Sequence, residues 1–375
     1  MGDVGPLGRV VLRGMIEHRI YSCDDHLDIY NLPRDLWTKR LPVKYHEAAP
    51  HVVEKNGAHS WVAGSRYMGP SGRFAGVQNA LDRVHREDDG FRPSHPRLRM
   101  EDMDRDGIHA SIVYGPGTLF GFPITDPEVK KLTLQVWNDW SAEEFNSYMP
   151  DRLSALPVLP TTSPEDAVAE LHRVLAKGHR GALFHAFEAD IRDRAWDLLW
   201  AAVQESGVPI SFHIGGGSHR LDVMGGRWQI AAFAAIGPIQ LDEPFAIMMF
   251  GGALERHPEL KLVLAESGVG WLPYMVARMD GVFEKHCVPD AKGIRTKPSE
   301  IFRRQVWATF EEEPFGPDLI PLLGPENFMW ACDYPHPDST WPESRKAIEH
   351  ALGKLSPDAV RMVTGENCQK LYRLP

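Results

Sequence analysis

A regular alternation of short apolar runs and helical segments constrains the fold of this chain most. Eight apolar runs predict strands, because each is short and is closed by turn residues. They begin near residues 20, 110, 153, 181, 208, 260, 306 and 328, and nearly every one precedes a stretch with helical periodicity. Strands that alternate with helices imply a parallel sheet, and eight such units predict a (β/α)₈ barrel, the TIM barrel. A doubly wound sheet is the structural alternative.

The 375 residues contain no linker that would divide them, so we expect one domain over residues 1–375. One long, irregular stretch, residues 30–96, follows the first predicted strand and is rich in Pro, Gly, His and Arg. Long loops in compact domains are usually functional. We therefore predict that this segment is an insertion that covers the barrel mouth as a lid.

Charge and composition restrict the partners of the chain. Lys plus Arg number 41 and Asp plus Glu number 51, a formal charge of −10, which argues against a nucleic-acid or anionic-membrane binder. No apolar run reaches the ~18 residues that cross a bilayer. The four cysteines are scattered without a CxxC pair, which favours a reducing cytoplasm. We expect a cytoplasmic homo-dimer or larger homo-oligomer that acts on a small molecule.

Polar residues follow the predicted strands at the end where a barrel carries its chemistry. Asp24 and His26 end the first strand, His213 ends the fifth, and Asp333 follows the eighth. Two imidazoles and two carboxylates suit one divalent metal, such as zinc or manganese. Glu266, after the sixth strand, would add a third carboxylate to the same cavity. Carboxylates crowded together without a cation would raise one another's pKa, which is a further argument for a metal.

Each of these residues alone also fits a purely structural role. Asp24 fits a turn cap, His213 a loop histidine, Glu266 the first acid of a helix, and Asp333 a plain turn. Their joint order at the strand ends favours the metal site. Two further histidines, His185 after the fourth strand and His336 near Asp333, could contact substrate or only brace the barrel rim. The sequence contains no GxGxxG, Walker or Gly-x-Ser-x-Gly motif, so we expect no nucleotide cofactor and no serine nucleophile.

Three segments carry a resemblance to a known family. They are Asp24-Asp25-His26, residues 264–273 (LAESGVGWLP) and Asp333-Tyr334-Pro335-His336. They resemble the branch of the amidohydrolase superfamily that includes aminocarboxymuconate-semialdehyde decarboxylase and γ-resorcylate decarboxylase. The resemblance implies a barrel with one divalent metal and either hydrolase or carbon–carbon lyase chemistry.

The chain departs from that family pattern at two positions. Many members have His-x-His after the first strand, where this chain has Asp24, so magnesium or manganese joins zinc as a candidate metal. The best-known decarboxylases of the branch have His after the sixth strand, where this chain has Glu266. The second departure bears directly on whether this chain is a decarboxylase.

From the sequence we predict a metal-dependent hydrolase of a small cyclic or aromatic carboxylated substrate. One divalent ion, with zinc the first expectation, would be held by Asp24, His26, His213 and Asp333 and would activate a water molecule. Asp333 would accept the proton, and Glu266, outside the direct ligands, would orient the water or protonate the leaving group. Aromatic residues of the insertion, among them Trp37 and Trp61, suggest the aromatic substrate. A metal-dependent non-oxidative decarboxylase and a non-catalytic metal-binding barrel are the alternatives.

Overall fold

The computed structural model describes residues 16–73, 80–116, 122, 124–216, 227–287 and 294–375. Over these ranges it contains eleven strands: β1 (Ile20–His26), β2 (His51–Lys55), β3 (Ala58–Ala63), β4 (Arg66–Pro70), β5 (Ile108–Tyr114), β6 (Leu153–Ala155), β7 (Ala182–Leu183), β8 (Pro209–His213), β9 (Lys261–Ala265), β10 (Val306–Phe310) and β11 (Phe328–Trp330). Strands β1, β5 and β6 pair in parallel, as do β7 to β11 in chain order. The predicted parallel α/β architecture is confirmed.

Backbone hydrogen bonds close these two sheets into one barrel. On one side, Leu183 donates to Pro157 O at 2.8 Å, and Leu159 donates to Leu183 O at 2.9 Å. On the other side, Asp333 donates to Asp24 O at 2.9 Å, and His26 donates to Tyr334 O at 2.7 Å. The second closure brings the ends of β1 and β11 together, and these ends carry the predicted metal ligands.

Thirteen α-helices lie in the described ranges: α1 (Pro96–Asp106), α2 (Pro127–Trp140), α3 (Pro164–Leu175), α4 (Asp197–Ser206), α5 (Arg227–Ile236), α6 (Asp242–Phe250), α7 (Ala253–Arg256), α8 (Leu272–Val282), α9 (Pro298–Gln305), α10 (Gly316–Leu323), α11 (Ser344–Leu352), α12 (Pro357–Arg361) and α13 (Asn367–Tyr372). Local chemistry sets several boundaries. The Ser163 hydroxyl accepts the Asp166 N–H at the start of α3, and Gly107 ends α1 in the left-handed region with a φ of 78°.

The barrel strands are buried on both faces, as a parallel sheet covered by helices requires. All seven residues of β1 and all five of β8 are buried. The polar residues in these strands are therefore held in a dry interior, where each polar group needs a hydrogen-bond partner or a ligand.

The insertion contains a small antiparallel sheet of β2, β3 and β4. Asn56 and Gly57, with φ of 54° and 77°, form the two-residue turn between β2 and β3. Trp37 and Trp61 are fully buried and meet edge to face at 5.2 Å, so they form the core of the insertion rather than a substrate surface.

The insertion also contacts the segment that follows β11. Ala80 donates to Pro335 O at 3.1 Å, and the Arg83 guanidinium donates to Pro337 O at 2.8 Å and Ser339 O at 2.6 Å. This segment is the one that carries Asp333 and His336. Coverage of the whole mouth stays a prediction.

One helical stretch in the described part of the chain, Trp228–Phe250, has a mean hydropathy of 1.2 and the length to cross a membrane, by those two criteria alone. It is not a single helix, because the 3₁₀ turn Gly237–Ile239 separates α5 from α6. Phe245 and Met248 of α6 are fully buried in the protein core.

Candidate metal centre

Five side chains from four strand ends converge at one point of the barrel mouth. The His26 Nε2 atom lies 3.3 Å from Asp24 Oδ1, 3.1 Å from Asp333 Oδ1 and 3.4 Å from Glu266 Oε2. The His213 Nε2 atom lies 3.5 Å from Asp24 Oδ1 and 3.1 Å from Glu266 Oε2. Each of four residues offers one donor atom, and these four atoms all lie within 4.8 Å of one another: Asp24, His26, His213 and Glu266.

The converging atoms are also the ones that lack a hydrogen-bond partner. Buried side-chain atoms without a partner include Asp24 Oδ1, His26 Nε2, His213 Nε2, Glu266 Oε2 and Asp333 Oδ1. Buried polar atoms in a native protein normally have a partner, so this set indicates a missing ligand. Carboxylate oxygens and imidazole nitrogens are donors for divalent metals, and the residues therefore fit a single divalent cation.

Opposite charges in this cluster shift every pKa. Burial alone would raise the pKa values of Asp24 and Glu266, but His213 and His26 lower both of them. Burial would lower the pKa of His213, yet Asp24 and Glu266 raise it to about 9. The pKa of His26 is likewise well above its usual range, against the effect of burial, because the carboxylates of Asp24, Asp333 and Glu266 lie beside it. The metal-free site thus holds its imidazoles protonated, and a metal would have to displace those protons.

A chain of hydrogen-bonded side chains leads away from the cluster. His336 Nδ1 lies 3.0 Å from Asp333 Oδ2, and His336 Nε2 lies 2.9 Å from Asp28 Oδ2. The Tyr30 hydroxyl donates to the same Asp28 oxygen at 2.6 Å. The His336 ring also stacks on His26, with 4.1 Å between centroids. A proton could therefore move between Asp333 and the insertion through groups already in contact.

The backbone is strained at two of the five donors. Glu266 has a φ of 50° and Asp333 a φ of 61°, in the left-handed region that side chains other than glycine seldom adopt. Such residues cost on the order of 1–3 kcal/mol and persist where the surroundings hold them. The strain lies where each strand turns outward, and it places both carboxylates in the mouth.

The glycines after Glu266 accommodate a second carboxylate. The Glu313 side chain accepts the N–H groups of Val269 at 2.7 Å and Gly270 at 3.1 Å. A Cβ atom on Gly268 would lie 2.4 Å from Glu313 Oε1, and one on Gly316 would lie closer still to Oε2. The conspicuous Glu-Ser-Gly-Val-Gly sequence is therefore explained by a tight loop wrapped around the Glu313 carboxylate.

All seven predicted site residues lie at or just after the carboxyl ends of the barrel strands, and the structure brings five of them together. Asp24, His26, His213, Asp333 and Glu266 share the cluster, and His336 adjoins it. His185 follows β7 and is not one of the clustered donors, and burial lowers its pKa to about 4 and keeps it neutral. Its role as a substrate contact stays a prediction.

Sequence reasoning missed two residues of the site, Asp28 and Thr309. Asp28 belongs to the polar run after β1 and supports His336. Thr309 Oγ1 donates to Asp24 Oδ2 at 2.8 Å. The signal for Thr309 was its position as the polar residue in the otherwise apolar strand β10.

Known structures share this fold. An amidohydrolase from Mycobacterium avium subsp. paratuberculosis K-10 superposes with a TM-score of 0.77 at 23% identity, over 95% of this chain and 100% of that one. A dihydroxybenzoic acid decarboxylase from Polaromonas sp. JS666, with bound manganese and the inhibitor 2-nitroresorcinol, superposes with a TM-score of 0.64 at 18% identity, over 95% and 97%. At these identities the likeness establishes the barrel fold.

Curated relatives share sequence as well. A γ-resorcylate decarboxylase from Rhodococcus jostii (strain RHA1) is 28% identical over 223 residues, which are 53% of this chain and 64% of that enzyme. A 2-amino-3-carboxymuconate-6-semialdehyde decarboxylase from Dictyostelium discoideum is 24% identical over 316 residues, 82% of each chain. The expected resemblance to this branch is confirmed. Because the amidohydrolase family model matches residues 45–374, the chain belongs to the amidohydrolase family and is an enzyme of that superfamily.

Proposed function

We propose that the enzyme is a metal-dependent, non-oxidative decarboxylase of an aromatic or muconate-type acid. The observation that carries the proposal is the convergence of five unpartnered, buried donor atoms in the barrel mouth. That the relatives are decarboxylases favours this reaction over the hydrolysis expected first from the sequence.

The five residues Asp24, His26, His213, Glu266 and Asp333 would hold one divalent ion. Three carboxylates and two imidazoles form an oxygen-rich set, which favours manganese over zinc. The manganese bound in the Polaromonas decarboxylase supports the same choice. In this proposal Glu266 is a metal ligand, whereas the sequence suggested a role outside the ligands. When bound, the ion would supply Lewis-acid binding for the substrate carboxylate and a neighbouring hydroxyl.

The protein itself would supply the proton that decarboxylation consumes. The proton adds to the carbon that carries the carboxylate, and the electron pair of the broken carbon–carbon bond restores the π system as carbon dioxide leaves. In the metal-free protein, burial and the charge of Glu266 raise the pKa of Asp333 to about 6 despite His336. Asp333 would hold this proton, and His336, which contacts both Asp333 and Asp28, would replace it.

The insertion would shield the reaction from water. Its Ala80 and Arg83 contacts lie on the segment that carries Asp333 and His336. Exclusion of water protects a carbanion-like or dearomatised species from side reactions and strengthens the electrostatic interactions in the site.

The test is the product formed. Protein reconstituted with Mn²⁺ is incubated with a panel of hydroxylated benzoates, muconate-type acids, amides and lactones, and carbon dioxide release is measured beside chromatography of the products. We expect carbon dioxide from an acid and none with the His213→Ala variant. Cleavage of an amide or lactone without carbon dioxide would establish the hydrolase instead. Metal binding without any turnover on the panel would favour a non-catalytic barrel.

A further inference from the structure

Thr309 is a buried residue of β10 that connects two of the five donors. Its hydroxyl donates to Asp24 Oδ2 at 2.8 Å and accepts the Glu266 N–H at 2.7 Å. The side chain is fully buried, so water does not compete for either bond. A hydroxyl has one donor hydrogen, and Thr309 donates it to Asp24.

For Asp24, this bond separates the roles of the two carboxylate oxygens. Oδ2 is occupied by the Thr309 hydroxyl, while Oδ1 has no hydrogen-bond partner and faces both imidazoles. A carboxylate held by one oxygen cannot rotate freely about its terminal torsion, which is otherwise broad. The bond therefore aims Oδ1 at the point where the other donors meet.

For Glu266, the same hydroxyl holds the strained backbone. The Glu266 N–H reaches Thr309 Oγ1, and the Gly268 N–H reaches the Thr309 carbonyl oxygen at 3.1 Å. Both bonds lie next to the left-handed φ of 50° at Glu266, which turns its side chain into the mouth. One threonine thus supports the conformation of a residue on β9 and the carboxylate of a residue on β1.

We propose that Thr309 is a positioning residue of the metal centre, which sets the orientation of Asp24 and Glu266 together through its hydroxyl. The proposal rests on the metal centre of the proposed function. Partners behind the ligands commonly contribute about 10–100-fold to metal affinity. Because Thr309 contacts two of the ligands, its loss should lower the metal affinity and not only the stability of the fold.

Three variants isolate the hydroxyl. Thr309→Val keeps the size of the side chain and removes both hydrogen bonds, and Thr309→Ser keeps the hydroxyl. Thr364→Val is the matched control, because the Thr364 hydroxyl is also fully buried, donates to Val360 O at 2.7 Å and faces His18. It contacts none of the five donors.

The measurements are the Mn²⁺ affinity of each metal-free protein by calorimetry and the electron paramagnetic resonance spectrum of the bound Mn²⁺. We expect Thr309→Val to bind Mn²⁺ about 10–100-fold more weakly, with an altered spectrum. Thr309→Ser should bind within about threefold of the wild type because it keeps the hydroxyl. Thr364→Val should also bind within about threefold, because distant sites act independently. Circular dichroism checks that each variant is folded.

Wild-type affinity in Thr309→Val, or an equal loss in Thr364→Val, would overturn the proposal. If Thr309→Val does not fold, Thr309→Ser still decides, because weak binding with the hydroxyl retained would contradict the positioning role. Failure of the wild type to bind Mn²⁺ would overturn the metal centre and this role together. Mn²⁺ binding that depends on Thr309, without carbon dioxide release, would leave this role intact and overturn only the proposed reaction.

Discussion

At the scale of single residues, Glu266 distinguishes this site from the pattern of its branch. Its carboxylate lies 3.1 Å from His213 Nε2, with Oε2 unpartnered, so the geometry favours a direct metal ligand. A helix-start acid would instead face solvent and the N–H groups near the start of α8, where Glu313 accepts the N–H groups of Val269 and Gly270 just before the helix. The geometry therefore favours a role in the proposed metal centre over a role at the helix start.

Replacing Glu266 by Gln tests this assignment. The amide keeps the size of the side chain but removes the anionic donor, so we expect Mn²⁺ affinity and turnover to fall together, by at least about 10-fold in affinity. Elemental analysis and turnover are measured beside Asp190→Asn, a matched change in an exposed surface ion pair. Retained metal with turnover lowered by roughly 10²–10⁴ would make Glu266 a proton carrier instead. Near-wild-type turnover would remove it from the mechanism.

The sequence predicted which residues gather in the mouth but not how they are held. Asp24, His26, His213, Glu266 and Asp333 each follow or end a recognisable apolar strand, and the barrel topology brings such ends together. Thr309 could not be found in this way, because its partner Asp24 lies 285 residues away. Nothing in a local pattern specifies which buried hydroxyl will meet which carboxylate.

At the scale of elements, a buried carboxylate joins α1 to α11. Asp106, the last residue of α1, accepts the Ser344 N–H at 2.8 Å and the Ser344 hydroxyl at 2.5 Å at the start of α11. Burial raises the pKa of Asp106 to about 6, although these bonds oppose the shift. A carboxyl group with a raised pKa stabilises the fold fully below its unfolded pKa of about 3.9, and this contribution is lost as the pH rises towards 6.

Asp106→Asn should remove that pH dependence. The difference in unfolding free energy, variant minus wild type, should increase by roughly 2–3 kcal/mol between pH 4 and pH 6 and stay level above pH 7. Urea denaturation at each pH measures it. The matched control is Asp104→Asn, an exposed carboxylate on the same helix that pairs with Arg152 and should show no such increase, because surface ion pairs contribute little to stability. A flat difference for Asp106→Asn would show that the carboxyl is not protonated in the fold.

Element boundaries were predicted where the apolar pattern and the end signals agreed. The sequence predicts strands over 306–310 and 328–330 and a helix over 344–352, and β10, β11 and α11 have these bounds. The helix predicted over 127–148 is α only to Trp140, after which π and 3₁₀ segments follow. Helix α5 and the sheet of β2–β4 were not predicted as such. Their residues lie in long Gly- and Pro-rich stretches without clear periodicity, where tertiary packing decides the structure.

At the scale of the whole molecule, the assembly expected from the sequence stays a prediction. Helix α5 exposes several large apolar side chains on the described surface, and the 3₁₀ turn after it exposes another: Trp228, Ile230, Ile236 and Ile239. Apolar surface of this kind is typical of contact sites between proteins. A homo-oligomer would be consistent with it.

Metal binding should stabilise the entire chain, because the donors come from both of the parallel sheets that form the barrel. Mn²⁺ at about 100 times its Kd adds about 2.7 kcal/mol to the folded state. For 375 residues this corresponds to a rise in Tm of roughly 3 °C, by the usual unfolding entropy per residue. At one fixed Mn²⁺ concentration the rise should be larger at pH 8 than at pH 6, because Mn²⁺ must displace protons from imidazoles such as His213, whose pKa is about 9. Calorimetric scans of chelated and Mn²⁺-loaded protein measure the shift, with His213→Ala as the control. An equal shift in that variant would place the stabilising ion elsewhere on the protein, and no shift in the wild type would contradict the metal centre.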